Sequence, residues 1–239
     1  MSSEWFKKKL QTSIERIFRH RVYCFMHRKH GHQGYADMKY SGQKIHTIFD
    51  VGANTGQSAE EYSVTFPGAS VSCFEPVSST YAELEGNVRS MGHVNCHNLA
   101  LGSEPGESTI YISDISTANS LINHGSGDRK ETIQVSTVDI FAKENNVDKI
   151  DFLKIDTEGF DIEVLKGAEG MLSSGSVSFV QVEVSFNREG QKHVLFDDVR
   201  DLLAGHGFVV FGFYEQHLEW SGEQSLRFAN ALFYRKPSA

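Results

Sequence analysis

Apolar and polar residues along this chain of 239 residues fall into short blocks that switch between two periods. Ile45 to Val51, Ser70 to Glu75, Val94 to Leu101, Ile150 to Asp156 and Val177 to Val184 are runs of strand length rich in β-branched and aromatic residues. Between them, Gln57 to Phe66, Ser78 to Met91, Thr137 to Asn145 and Gly159 to Leu172 read as helices. Pro67-Gly68 closes the first and Gly92 the second. Strand and helix in alternation is the pattern of a parallel sheet. Ser108 to Asp114 and Thr132 to Ser136 break it, and read as an antiparallel hairpin or edge around a polar loop, Ile115 to Glu131. The last third predicts a helix, His193 to Ala204, and two strands, Phe208 to Tyr214 and Leu226 to Arg235. The expected fold is α/β and Rossmann-like: a seven-stranded, mostly parallel sheet with helices on both faces, ending in an antiparallel hairpin.

Ahead of this body the pattern changes. Trp5, Phe6, Leu10, Ile14, Ile17, Phe18, Val22 and Phe25 recur at helical spacing, with Arg16, Arg19, Arg21 and Arg28 between them. Residues 1–47 hold 10 Lys and Arg against 3 Asp and Glu, whereas the remainder holds 13 against 28. The division expected is therefore a basic amphipathic extension over 1–45 and one α/β domain over 46–239. The extension suits a lid packed on its own domain, the reading preferred here. Residues 1–30 equally suit peripheral contact with an anionic membrane or an acidic partner. The acidic body argues against nucleic acid as the main partner. No apolar run reaches membrane length and no signal peptide is evident, so a cytoplasmic location is expected. Three scattered cysteines, Cys24, Cys73 and Cys96, provide neither a disulfide framework nor a zinc site. The aromatic-rich tail is core by default, with a homodimer face as its alternative.

Candidate chemistry gathers at the ends of the predicted strands. Asp50-Val51-Gly52-Ala53-Asn54-Thr55-Gly56 joins the first strand to the first helix. Glycines there allow turns closed to other residues and a close backbone approach to a ligand. Glu75, at the tip of the next strand and about 20 residues on, is placed to accept hydrogen bonds from both hydroxyls of a ribose. A dinucleotide fingerprint needs G-x-G-x-x-G, and its third glycine is missing. Asp50, two residues before Gly52, suits a cofactor with positive charge, since opposite charges attract across a partly desolvated gap. S-adenosyl-L-methionine carries a sulfonium and an ammonium, and D-x-G-x-[GN]-x-G is the usual mark of its binding proteins. A second cluster, Ile150 to Gly159, places Asp156 and Glu158 at the same strand ends as Asp50 and Glu75. Helix capping is the alternative role for that pair. Four such carboxylates repel one another unless cations or hydroxyl donors stand among them, and Glu183 adds a fifth.

Phe49 to Gly56, Phe74-Glu75-Pro76, Asn98-Leu99-Ala100-Leu101, Asp151 to Gly159 with Val164 to Ala168, and Gln181-Val182-Glu183 stand in the order seen in FkbM-type methyltransferases, which this chain resembles over about residues 46–185. Thr137-Val138-Asp139 and Ser120-Leu121 fit as well. The resemblance implies a class I methyltransferase fold and S-adenosyl-L-methionine as cofactor. It also implies O-methylation of a hydroxyl on a small molecule, sugar, glycolipid or secondary metabolite. By position, Asp50, Gly52, Asn54 and Gly56 would line the methionine side, and Glu75 would bind ribose. Asn98, Ala100 and Leu101 would edge the adenine, and Asp156 to Gly159 would sit near the transferring methyl. Asp156, Glu158, His124 and His193 are the candidate catalytic groups, one of them to receive the acceptor's proton. No metal ligand set is expected. The rivals are an NAD-linked oxidoreductase and a non-catalytic binding protein recruited through its basic helix.

Overall fold

The computed structural model describes residues 33–112, 129–187, 193–218 and 225–236. The amphipathic stretch before residue 33, Trp220, His124 and nearly all of the Ile115–Glu131 loop lie outside them.

Five parallel strands form the body of the main sheet: β1 (Thr47–Val51), β2 (Ser70–Phe74), β3 (Val94–His97), β7 (Ile150–Ile155) and β8 (Val177–Ser185). The hairpin β10 (Phe208–Leu218) and β11 (Leu226–Arg235) completes the order β10-β11-β8-β7-β1-β2-β3, in which β11 alone runs against its neighbours. This is the class I methyltransferase arrangement, with strand order reversing between β1 and β7. Alternate strand residues point to opposite faces, and each face is covered by an apolar cluster. Phe49, Leu153, Ile155, Val180 and Val182 belong to one core, while Ile48, Val71, Phe152 and Phe179 belong to the other. Helices α1 (Gly34–Tyr40), α2 (Gln57–Thr65) and α3 (Ser78–Val88) contribute buried residues to the second. Helices α4 (Val138–Glu144), α5 (Asp161–Lys166), α6 (Glu169–Ser174) and α7 (Phe196–Gly205) contribute to the first. Among the described residues no helix is long and apolar enough to cross a membrane.

Three elements differ from the sequence expectation. The predicted strand Val94–Leu101 breaks after His97, because the Asn98 side chain turns away and donates to the carbonyls of Glu75 (3.0 Å) and Pro76 (2.9 Å). The chain then re-enters as β4 (Ala100–Leu101), in a separate three-stranded sheet with β6 (Arg129–Ser136) and β5 (Gly106–Ile112). β5 and β6 are the expected antiparallel hairpin. The predicted helix Gly159–Leu172 is two helices. The Gly167 carbonyl accepts from the Asp139 N–H at 3.0 Å rather than continuing the helix, and the Asp139 carboxylate caps α6 through Gly170 (2.7 Å) and Met171 (2.9 Å). His193 is not helical; β9 (Val194–Leu195) first extends the sheet beside the end of β8.

A β-carbon on Gly167 would lie 1.9 Å from the Gly102 carbonyl oxygen, although its backbone (φ −71°) is ordinary for any residue. Gly86, exposed in α3, has nothing within 4 Å of that position. Gly167→Ala is therefore expected to destabilise the protein by about 1–3 kcal/mol through steric conflict alone. Gly86→Ala should stabilise it by about 0.5–1 kcal/mol. Urea unfolding of the two variants beside the wild type checks both signs.

Candidate functional site

The turns after β1 and β7 cross at the carboxyl ends of the sheet, where open α/β folds bind ligands. Gly52 has φ +80°, and a β-carbon there would come within 2.0 Å of the Asp156 carbonyl oxygen. Only glycine meets both demands. The crossing is held by the Asp156 N–H donating to the Val51 carbonyl (2.9 Å) and by the Gly52 and Ala53 N–H groups both donating to Phe74 (3.0 Å each). Asn54 is also left-handed (φ 49°), and its N–H points at Glu75 Oε2, 3.2 Å away. Glu75 Oε1 accepts from Val77 at 3.0 Å. Burial pushes the Glu75 carboxyl up to about 7, against the pull of these two N–H groups.

Around this crossing lies a cavity of about 380 Å³. It is lined by Gly52 to Asn54 and Glu75, by the apolar Leu99 to Leu101 with Ile110, and by Lys154, Asp156, Glu158 and Phe160. Behind it stands a buried charge triad. Lys154 is in register with Asp50 on the neighbouring strand, and its ammonium lies 3.3 Å from Asp50 Oδ1 and 3.2 Å from Asp156 Oδ2. The Asp50 side chain is wholly buried, whereas that of Asp156 is 35% exposed toward the cavity. Burial opposes the charge on Lys154, but the two carboxylates outweigh it and hold the ammonium well above its ordinary range. Tyr35 and Tyr62 pack edge to face beside the triad with ring centroids 5.1 Å apart, and burial raises the Tyr35 hydroxyl to about 12.

A further carboxylate shapes the turn that carries Asp156 and Glu158. Asp161, buried, accepts from the Thr157 N–H (3.1 Å) and the Gly159 N–H (3.2 Å). It caps a turn in which Glu158 (φ 52°) and Gly159 (φ 98°) are both left-handed. Burial, opposed by those N–H groups, pushes its carboxyl up to about 6.

Residues 50–210, more than half of the chain, match the family model described as the methyltransferase FkbM domain. The chain belongs to this family. It is 32% identical over 138 residues to the hexuronic acid methyltransferase AglP of Haloferax volcanii, covering 57% of this chain and 55% of that protein. It is 25% identical over 144 residues to Methyltransferase 1 of Beauveria bassiana, covering 51% of this chain and 58% of the relative. The chain thus spans about half the length of the curated relatives it matches. A precorrin-6y C5,15-methyltransferase from Geobacter metallireducens superposes with a TM-score of 0.46 at 9% identity, over 84% of this chain and 85% of that one.

Within this FkbM domain the residues named from sequence divide in two. Gly52, Asn54, Glu75, Ala100, Leu101, Asp156 and Glu158 are brought together on the cavity wall. Asp50, Gly56 and Asn98 stand behind it. Asp50 pairs with Lys154, Gly56 (φ 93°) starts α2 where a β-carbon would meet Leu84 and Val88, and Asn98 ties down the Glu75–Pro76 backbone. His193 is off the wall too. Its Nδ1 lies 3.0 Å from Glu183 Oε2. Burial works against its charged form, but Glu183, with Glu158 and Asp161 beyond, raises it above the ordinary histidine value. Sequence reasoning missed Lys154 and Asp161. A lone cation inside the otherwise apolar run Phe152 to Ile155, beside a strand ending in Asp50, was the signal for the first. Asp161 gave a weaker one, as an acid in a helical first turn.

Removing the ammonium leaves Asp50 buried and uncompensated, so Lys154→Met should lower stability by about 3–5 kcal/mol. Adding Asp50→Asn should restore part of that loss, giving a coupling energy above about 1 kcal/mol in a denaturant-unfolding double-mutant cycle.

Proposed function

We propose that the protein transfers a methyl group from S-adenosyl-L-methionine to a hydroxyl oxygen of a sugar or small-molecule acceptor. The observation that carries this reading is the single cavity onto which the Gly52 crossing, Glu75 and Asp156 all open. Its parts fit the cofactor. Glu75 is a buried acid at a strand tip, suited to ribose hydroxyls. Leu99, Leu101 and Ile110 offer an apolar slot for a purine, and Asp156 and Glu158 supply negative charge for a sulfonium and an ammonium. A volume of about 380 Å³ lies within the range of small-molecule sites. FkbM family membership and the hexuronic acid methyltransferase among its relatives support methyl transfer to a carbohydrate-like acceptor.

Bound there, S-adenosyl-L-methionine supplies an electrophilic methyl: the acceptor oxygen takes it as the carbon–sulfur bond breaks toward sulfur, leaving a neutral thioether and one proton to be placed. Asp156 is the residue to receive that proton. It reaches the cavity, Lys154 engages its Oδ2, and Oδ1 remains for the acceptor hydroxyl. His193 is the weaker candidate because it stands off the cavity wall. Lys154 and Asp161 act on position. One fixes the Asp156 carboxylate, and the other fixes the turn beyond it, in keeping with the orientation that displacement at carbon demands.

Calorimetric titration tests the cofactor. Micromolar binding of S-adenosylmethionine and S-adenosylhomocysteine, absent for NAD and lost in Glu75→Ala, is expected; binding of NAD alone would favour an oxidoreductase. The titration also has a pH signature. Between the ordinary glutamate value of 4.5 and about 7, the folded free protein holds a proton on Glu75 that the unfolded chain has lost, so this group's contribution to stability falls as pH rises. Ribose hydroxyls favour the ionised carboxylate, so S-adenosylhomocysteine should bind about tenfold more weakly at pH 6 than at pH 8. Glu75→Gln should bind weakly with no such slope.

A further inference from the structure

Along the carboxyl ends of the main sheet the functional groups fall in a line. Glu75 follows β2, Gly52 follows β1 and Asp156 follows β7. The next strand outward is β8. Ile155 and Val182 are in register, so the residues after them, Asp156 and Glu183, come level on neighbouring strands. Both lie two places beyond the registered pair Lys154 and Gln181, and so on one face, with the strands about 4.8 Å apart. Glu183 holds His193, whose Nδ1 lies 3.0 Å from its Oε2. The charges of Glu158 and Asp161, on the turn beyond β7, reach the same imidazole. Glu158 also lines the cofactor cavity, so His193 stands just past the end of that cavity marked by Asp156.

The imidazole is set up to meet a hydroxyl. A carboxylate at Nδ1 keeps the ring's proton there, which leaves Nε2 to accept from a hydroxyl when the ring is neutral and to donate to one when it is charged. Nε2 has no hydrogen-bond partner among the described residues. Beside it stands Phe228 of β11, half-buried, with its ring centroid 4.8 Å from that of His193 and 4.3 Å from that of His217 on β10. The Arg227 guanidinium lies 5.8 Å from the same ring. Aromatic surface with a few placed polar groups is the ordinary make-up of a small-molecule site.

Resting on the methyl-transfer reading above, we infer that the acceptor lies over the carboxyl ends of β8 and β11: its reacting hydroxyl meets Asp156, and the rest of a hydroxylated ring, as in a hexoside, packs on Phe228 with a second hydroxyl on His193. Glu183 acts through His193, as a positioning residue that fixes the proton on Nδ1. The line from Glu75 to Phe228 then runs ribose, sulfonium, reacting oxygen and acceptor ring, the order that in-line displacement at the methyl carbon needs. His193 stands off the wall of the cofactor cavity because its ligand is the acceptor.

Two readouts on the full-length protein test this. S-adenosylmethionine and S-adenosylhomocysteine differ by one methyl and one positive charge at sulfur, and a like charge nearby disfavours imidazolium. The pKa of His193, followed by carbon-13 NMR and assigned by its absence in His193→Phe, should therefore be lower by about 0.5 or more with the first bound than with the second. His206, held by Ser173 and Glu169 on α6, should not move. Label transfer from methyl-tritiated S-adenosylmethionine, with p-nitrophenyl β-D-glucoside and p-nitrophenyl β-D-glucuronide as probes, reads the acceptor side. His193→Phe keeps a ring against Phe228 and loses the nitrogens. It should raise the KM of the labelled hexoside about tenfold, with kcat changed by less than about threefold and S-adenosylhomocysteine affinity within about twofold. Glu183→Gln, which still accepts from Nδ1, should give a smaller rise. Phe228→Ala should raise KM in the same direction and carries the test if His193→Phe does not fold. A His193 pKa indifferent to the charge at sulfur, no label in either hexoside, or folded His193 and Phe228 variants with unchanged KM would overturn the assignment. If the wild type binds the cofactor under these outcomes, only the acceptor site is refuted. If it binds no cofactor, the methyl-transfer reading fails first.

Discussion

Lys154 is a cation in the interior of a central strand, surrounded by Phe152, Leu153 and Ile155, and its position is tolerable only because Asp50 and Asp156 flank it. A buried ion pair contributes little net stability compared with an apolar isostere, yet losing one partner is strongly destabilising. What the arrangement does secure is geometry. It joins β1 to β7 at the place where the sheet order reverses, and it sets the Asp156 carboxylate at the edge of the cavity. The Gly52 crossing lies directly above it and works only while β1 and β7 keep that register. The cavity onto which Gly52, Glu75 and Asp156 open, and the turn that follows Asp156, depend on the register that this ammonium and its two carboxylates hold.

The parts of this design legible in the amino-acid sequence are those with local causes. Gly52 and Gly56 announced a strand–turn–helix because the turn needs left-handed backbone, and both occupy it. Glu75 announced itself as an acid at a strand end. The mostly parallel character of the sheet followed from strand–helix alternation. The illegible parts have causes far away in the chain. Asn98 ends β3 by bonding carbonyls 22 and 23 residues upstream, and nothing in Val94 to Leu101 signals that break. Asp139 splits a helix that, on periodicity alone, runs unbroken, by capping backbone 31 and 32 residues later. Asp50 reads in sequence as a direct ligand for positive charge, whereas the fold gives that charge to Lys154, 104 residues away.

The same long-range logic bears on function. Four carboxylates named from sequence at one cleft imply mutual repulsion that only a ligand would relieve. The structure relieves part of it internally, through Lys154 between Asp50 and Asp156 and through the Asn54 and Val77 N–H groups that donate to Glu75. What remains uncompensated faces a cavity that is part apolar and part acidic, a character suited to a nucleoside joined to a cation.

The measurement that tests this account most directly is a crystal structure of the protein grown with S-adenosylhomocysteine. The account predicts electron density in the cavity bounded by Gly52, Glu75 and Asp156, with the ribose hydroxyls on the Glu75 carboxylate, the purine against Leu101 and Ile110, and the sulfur nearest Asp156. An empty cavity at saturating ligand, or a nucleoside bound elsewhere, would contradict it.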